Sequence, residues 1–393
     1  MSAYTLSLIE KEANRQKKNI ELIASENFVS EDVMAAVGSC LTNKYAEGYP
    51  PMRATGRCGR YYGGCEYVDE VEEFCCKIWQ SAFNTDYHVN VQPHSGSNAN
   101  MAAYMAVLEP GDTILTLDLN SGGHLTHGSP VNFSGKIYHV EHYGLNEKGF
   151  IDYDALEEKA REVRPRLIVA GGSSYSRIID FERIADIAES VYAFFMVDMA
   201  HIAGLVLAGF HPSPFGLADI ITTTTHKTLR GPRGGMIFCK PGWAKKVDSA
   251  VFPGVQGGPL MHVIAGKAVA GEEACRAEYK QYIKDVVHNS KSMAKEFKRL
   301  GYDIVTGGTD THMFLLDLTK LNMSGKLAQE TLDEHGITVN KNMIPNDPRT
   351  PLWTSGIRIG TPAMTTRGYS AMNFMDVADE IDEILTQKTI QRK

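Results

Sequence analysis

The chain has 393 residues, 43% of them hydrophobic and 22% charged, with a formal net charge of −7 at neutral pH. That is the composition of a soluble globular protein with room for two domains, and it speaks against a surface built for nucleic acid or an anionic membrane. No apolar run approaches the ~20 residues that span a bilayer, and the seven cysteines fit neither a disulfide framework nor a zinc knuckle.

The N-terminal stretch MSAYTLSLIEKEANRQKKN lacks the apolar core of a secretion signal and reads as a helical arm over residues 1–20. A cytoplasmic protein with reduced, mostly buried thiols is expected. Residues 21–265 are expected to form a large domain. Within it, PHSGSNANMAAYMAVLE reads as a Ser-Gly-Ser turn opening a helix. RLIVAGG (166–172) reads as a buried strand, and DFERIADIAESV (180–191) as a helix with apolar residues three and four apart. AFFMVDM (193–199), ADIITTTT (218–225) and GGMIFCK (234–240) read as further strands. Runs apolar on both faces predict an α/β protein whose sheet is covered by helices on both sides. From Met261 one long helical region begins. It is followed by YDIVTGG, HMFLLDL, the helix SGKLAQETLDEHG, the strands ITVN and SGIRIGT, and a last helix FMDVADEIDEILTQK. Residues 266–393 are therefore expected to form a smaller α+β domain.

The chemistry concentrates in DIITTTTHKTLRGPRGG, where a β-branched run ends in His226 and Lys227. A lysine nucleophile must be neutral, which burial or nearby positive charge promotes, and Arg230 and Arg233 follow closely. Asp198 ends the apolar run FFMVD, at the strand end where open α/β sheets place their ligands. Two readings are open for it, a helix N-cap or the partner of a protonated pyridine nitrogen. The turn at Gly96 and Ser97 offers backbone N–H groups and a helix dipole to an anion, though it also reads as an ordinary cap. His124 and His127 lie three apart among glycines, with no further residues at metal-ligand spacing, so no metal is expected. Arg358 sits in an apolar strand and suits either a substrate carboxylate or an internal salt bridge.

Ten blocks in order, among them IELIASENF, LTNKYAEGYP, VQPHSGSNAN, GGHLTHGSPVNFSG, VDMAHIAGLV, TTTTHKTLRGPRGG and TSGIRIGTPA, carry a resemblance from about Asn19 to about Gly368. The chain resembles the serine hydroxymethyltransferase family. The resemblance implies the type I pyridoxal-phosphate transferase fold, with a large, mostly parallel seven-stranded sheet domain and a smaller C-terminal domain. It implies pyridoxal phosphate as cofactor and tetrahydrofolate as co-substrate, with serine and glycine interconverted on a homodimer. Lys227 would be the Schiff-base lysine, Asp198 the partner of the ring nitrogen and His124 the ring-stacking residue. Ser173 and His201 would contact the ring oxygen, while Thr224 and His226 would flank the cofactor. Gly96 and Ser97 would hold the phosphate, with Gly257 and Gly258 from the neighbouring subunit. Ser25, His201 and Arg358 would hold the substrate carboxylate. Tyr45 and Glu47, also from the neighbour, would reach the hydroxymethyl group, with Glu47 moving the proton and Tyr62 lining the pocket. Tyr61, Leu119, Gly123, Leu125 and Asn342 would contact the folate.

The family usually reads EGYPGKRYYGG where this chain reads EGYPPMRATGRCGRYYGG, an insertion at 51–59 that carries Arg53, Arg57 and Cys58. A tolerated surface loop is one reading. An altered acceptor site is the other, which makes a folate-independent threonine or β-hydroxy amino acid aldolase or transaldolase on the same scaffold the alternative function. LNSGGHL also replaces the more usual LAHGGHL, and both termini are shorter than is usual for the family. A catalytically dead binding subunit is a third reading, against which Lys227, Asp198 and Arg358 all count.

Overall fold

A computed structural model describes residues 3–51 and 59–390, and Arg53, Arg57 and Cys58 lie outside the described residues. The backbone divides into two compact units, Phe28–Lys284 and Met1–Asn27 together with Asp285–Lys393.

The first unit is organised by a seven-stranded sheet. Its order is His88–Asn90, Gly235–Cys239, Ile220–Thr224, Phe194–Asp198, Leu167–Ala170, Thr113–Leu117, His139–Tyr143. The five strands from Ile220–Thr224 to His139–Tyr143 are mutually parallel, and Gly235–Cys239 runs antiparallel to both of its neighbours. This is a mostly parallel seven-stranded α/β sheet, as the resemblance implies for the large domain. Every residue of Leu167–Ala170 and Ile220–Thr224 is buried, as expected for strands covered on both faces. Helix Gly96–Val107 brings Ala99, Ala102, Ala103, Ala106 and Tyr104 into the same apolar cluster as Ile220, Ile237 and Met196. Its alanines let the helix lie close to the strands.

Parallel pairing fixes what the sheet edge presents. Asp198 lies opposite Thr222, Ala170 opposite Val197, and Gly235 opposite Thr224, so these chain segments turn at one edge. Crowding there selects glycine. A Cβ on Gly171 (φ +127) would stand 2.1 Å from the Asp198 carbonyl oxygen, and one on Gly235 would stand 2.4 Å from that of Ser95.

The second unit holds a four-stranded antiparallel sheet in the order Asn340–Asn342, Gly356–Gly360, Met313–Asp317, Asp303–Ile304. Strand Ile20–Glu21 pairs in parallel with Ile337–Thr338, which ties the N-terminal residues to this unit. The compact division falls elsewhere than the boundary near 265, which lies inside helix Met261–Ala274. That helix packs on Glu31–Val37 and Glu66–Ala82 of the first unit. Gly266 and Gly271 permit it, since a Cβ there would approach Val37 to 2.9 Å and Ile78 to 2.7 Å. The single long helical region is two helices, Met261–Ala274 and Ala277–Arg299. Of the six described cysteines, Cys65, Cys75 and Cys239 are buried, while Cys40 and Cys275 are exposed and all six are free thiols. No helix of the described residues is long and apolar enough to cross a membrane.

The second unit has its own core, in which Phe297 is fully buried with its ring centroid 5.4 Å from Tyr302 and 5.9 Å from Phe314. Phe297→Ala should cost about 3–5 kcal/mol by the cavity it leaves. Urea unfolding followed by circular dichroism measures this, and a loss below about 1 kcal/mol would mean that the core collapses around the gap.

Candidate active site

Lys227 lies just past strand Ile220–Thr224, and its side chain is buried with Nζ donating to Thr224 Oγ1 at 3.2 Å. The threonine run is more than a platform of branched side chains. Thr222 donates to Asn100 Oδ1 at 2.6 Å, Thr223 donates to the Thr224 carbonyl at 3.0 Å, and Thr225 donates to the Pro232 carbonyl at 2.5 Å. The Thr222 and Thr225 hydroxyls thus fasten the strand end to two other segments, the helix that carries Asn100 and the turn at Pro232, so the lysine leaves an anchored backbone. Arg230 faces away, its guanidinium 4.5 Å from the centre of the Tyr282 ring.

On the adjacent strand, Asp198 is buried. Its Oδ2 accepts from Asn100 Nδ2 at 2.9 Å and from His127 Nε2 at 3.2 Å, and its Oδ1 accepts from the Ala200 N–H at 3.1 Å. His127 Nδ1 accepts from the His124 N–H, which leaves the Nε2 proton to point at Asp198. Burial by itself raises a carboxyl's pKa, but the hydrogen bond and charge of His127, the charge of His124 and the hydrogen bond from Asn100 outweigh it and hold Asp198 well below the usual carboxylate range. A second tier supports the first. Asn100 Nδ2 also donates to Thr126 Oγ1 at 2.7 Å, and Thr126 Oγ1 lies 2.7 Å from His124 Nδ1. His124, His127 and Asp198 thus converge within 4.8 Å of one another. Hydrogen bonds account for the convergence. The sequence reading assigns neither His127 nor Asn100 to the site, and the signal available for Asn100 is an amide that follows Asn98 on a helix otherwise rich in alanine and methionine.

The helix Gly96–Val107 opens at the same edge, N-capped by Ser95, which accepts from the Asn98 N–H at 3.3 Å. The N–H groups of Gly96 and Ser97, in its first turn, have no partner within the helix. A Cβ on Gly96 would meet Thr224 Cγ2 at 2.7 Å, so glycine lets this turn close on the strand that leads to Lys227. His226 is half-buried, with its Nδ1 shut off from solvent and lacking any partner among the described residues. Burial, then the charges of Lys227 and Arg233, lower its pKa to about 3, so the imidazole is neutral. An anion cradle, an orphaned ring nitrogen and a carboxylate held ionised fit a phosphorylated pyridine ring. Beside them, His201 is buried and its carbonyl accepts from Thr228 Oγ1 at 2.9 Å, while the Ser173 N–H donates to the Gly122 carbonyl at 2.7 Å.

A further group in the same unit joins Tyr45, Glu47, Tyr61, Tyr62, Gly257 and Gly258. The rings of Tyr45 and Tyr62 lie 5.0 Å apart and those of Tyr61 and Tyr62 5.4 Å. Partial burial, then the charge of Glu47, raises the Tyr62 hydroxyl's pKa. A Cβ on Gly257 would approach Glu47 Oε1 to 3.0 Å, and one on Gly258 would approach Tyr45 to 3.0 Å. Leu119 and Leu125 are exposed. Gly123 has a backbone reason to be glycine, since a Cβ would come within 2.2 Å of the Leu117 carbonyl oxygen.

Ser25, Asn342 and Arg358 belong to the other compact unit. Arg358 lies between Asn340 and Leu315 in the antiparallel sheet, where its Nε donates to Asn340 Oδ1 at 3.1 Å and its NH2 group to Ser25 Oγ at 3.4 Å. Burial lowers its pKa to about 10, which leaves it charged at neutral pH. Asn342 Nδ2 donates to the adjacent Met343 carbonyl at 2.7 Å.

The Asp198 network has a testable signature. Because the folded pKa is depressed, its contribution to stability is present above the ordinary carboxylate range and is lost as pH falls below it. His127→Phe removes one donor and leaves burial to raise that pKa. The acid-unfolding transition should move up by about one pH unit, the equivalent of one hydrogen bond to a charged group. Circular dichroism against pH measures it, and an unmoved transition would remove His127 from this role.

A family model described as serine hydroxymethyltransferase matches residues 3–381. With that match over nearly the whole chain, and with a buried lysine and an ionised aspartate on one edge of the sheet, the chain belongs to the pyridoxal-phosphate-dependent serine hydroxymethyltransferase family.

Proposed function

We propose that this protein reversibly transfers the hydroxymethyl group of serine to tetrahydrofolate, giving glycine and 5,10-methylenetetrahydrofolate, with pyridoxal phosphate held at Lys227. The observation that carries this reading is the pairing of Lys227, held against Thr224, with Asp198, kept ionised by Asn100 and His127. Pyridoxal phosphate, when bound, supplies a protonated ring that takes up the electron pair left by a broken bond at the substrate's Cα.

The chain's own residues supply the rest. Asp198 holds the proton on the ring nitrogen, which only an ionised carboxylate does well. The N–H groups of Gly96 and Ser97 hold the phosphate with help from the helix dipole, flanked by Thr224 and His226. His124 would cover the ring face, and Ser173 and His201 would contact its oxygen. Arg358, with Ser25, takes the substrate carboxylate through two parallel N–H groups. Glu47 moves the proton at the hydroxymethyl oxygen, with Tyr45 and Tyr62 lining its approach. Tyr61, Leu119, Gly123, Leu125 and Asn342 receive the pterin. The protein acts as a cytoplasmic homodimer, in which Tyr45, Glu47, Gly257 and Gly258 serve the site of the second copy.

Three measurements test this. Purified protein supplied with pyridoxal phosphate should exchange the α-proton of glycine faster once tetrahydrofolate is added. Lys227→Ala should lose the borohydride-fixed cofactor adduct, and Glu47→Gln should lose folate-dependent turnover by roughly 10²–10⁴ while still binding cofactor. Cleavage of β-hydroxy amino acids that ignores folate would identify an aldolase instead. The sharing of sites is tested by mixing Lys227→Ala with Glu47→Gln under conditions that exchange subunits. The mixture should regain activity, because one mixed site takes Lys227 from one copy and Glu47 from the other. No recovery in a verified heterodimer would place both residues in the same chain's site.

A further inference from the structure

The large unit buries a second lysine that the reaction does not use. Lys267, in helix Met261–Ala274, is 1% exposed. Its ammonium donates to three backbone carbonyls, Val91 at 2.7 Å, Gly235 at 2.8 Å and Pro93 at 3.1 Å. An ammonium has three donors, and these three carbonyls account for them all. Burying such a group is costly, and fully met hydrogen bonds are what make it tolerable. Burial pulls its pKa down to about 8, against smaller opposing effects of Cys75, Glu72 and Cys76, so the charged form holds at neutral pH.

The three carbonyls mark where the sheet stops. Asn90 opposite Ile237 is the last register pair between His88–Asn90 and Gly235–Cys239. Beyond it the chain runs through Val91 and Pro93 to Ser95, the N-cap of helix Gly96–Val107. Pro93 also accepts from the Gly235 N–H at 3.0 Å. Two glycines of the GPRGG segment make the arrangement possible, each in its own way. A Cβ on Gly234 would stand 2.4 Å from Lys267 Cε, so glycine makes room for the lysine stem. A Cβ on Gly235 would strike the Ser95 carbonyl oxygen.

We propose that Lys267 is the positioning residue of the phosphate cradle: its buried ammonium gathers the Val91, Pro93 and Gly235 carbonyls where regular strand pairing ends and seats the Ser95–Gly96–Ser97 turn on Gly235. The inference rests on the reading that this turn takes the phosphate of pyridoxal phosphate. It goes beyond that reading in assigning the geometry of the turn to a residue remote from it in sequence. Gln256 secures the same segment from another side, with Nε2 donating to the Gln92 carbonyl at 2.7 Å and Oε1 accepting from the His94 N–H at 3.2 Å.

The experiment titrates cofactor-free protein with pyridoxal phosphate and, separately, with pyridoxal, which has no phosphate. Lys267→Met should raise the dissociation constant for pyridoxal phosphate at least about tenfold while leaving that for pyridoxal within about twofold. Equal losses for both compounds would show a general loosening of the fold and overturn the proposal, as would unchanged affinity for both. Should Lys267→Met fail to fold, Gly234→Ala, whose Cβ would stand 2.4 Å from Lys267 Cε and so displaces the lysine stem, carries the same expected and overturning results. A wild-type protein that does not take up pyridoxal phosphate at Lys227 would sink the cofactor assignment itself, independently of Lys267.

Discussion

A carboxylate buried at the end of a strand is the constraint around which the large unit is arranged. Asp198 has left water, so its charge survives only through the donors around it, and each such bond is worth ~1.5–3 kcal/mol. Those donors come from separate parts of the chain. Asn100 arrives on the helix Gly96–Val107, His127 on the loop after strand Thr113–Leu117, and the Ala200 N–H from the turn that follows Asp198. Thr222, on the neighbouring strand, fixes Asn100 in turn. One ionised group therefore orients a helix, a loop and two strands together, which is how a half-satisfied polar cluster is avoided.

The same edge is built for close backbone approach. Gly96 against Thr224, Gly171 against Asp198 and Gly235 against Ser95 each place two chain segments nearer than any side chain allows. Close approach brings N–H groups and carbonyls into a small volume, and the ammonium of Lys267 balances carbonyls that the ladder leaves behind. Rigid packing here has a chemical use, because a cradle of backbone N–H groups binds an anion only when it is already in shape.

The inserted segment of the chain leaves from a stem that is firmly closed. Arg60 NH1 donates to the carbonyls of Ala46 and Gly48, on either side of Glu47. Its Nε and NH2 groups pair with Asp69 and Glu72 at 2.7 Å, and Gln92 donates to the other oxygen of Glu72 at 2.8 Å. The Tyr61 N–H completes the stem on the Glu47 carbonyl at 2.8 Å. The positions of Tyr45, Glu47, Tyr61 and Tyr62 are thus set by residues on both flanks of the insertion, and loop length adds little entropy cost to such a stem.

Sequence alone determined the elements and the reactive types. Buried apolar and β-branched runs read as strands of a covered sheet, the Ser-Gly-Ser turn as a helix start, and Lys227 and Asp198 stood out because a charge at the end of an apolar strand needs a reason. Ten ordered motif blocks named the family. Tertiary structure decided what no period or spacing encodes. It chose which side chains hold Asp198 ionised, and it drew Lys267 across 176 residues of sequence to the Val91 carbonyl. It also carried the helix Met261–Ala274 into the large unit, where two glycines fit it to its neighbours. Local pattern reports burial and helix or strand period, both properties of a short window. Hydrogen-bond partners and steric fit depend on which windows meet, and folding alone brings them together.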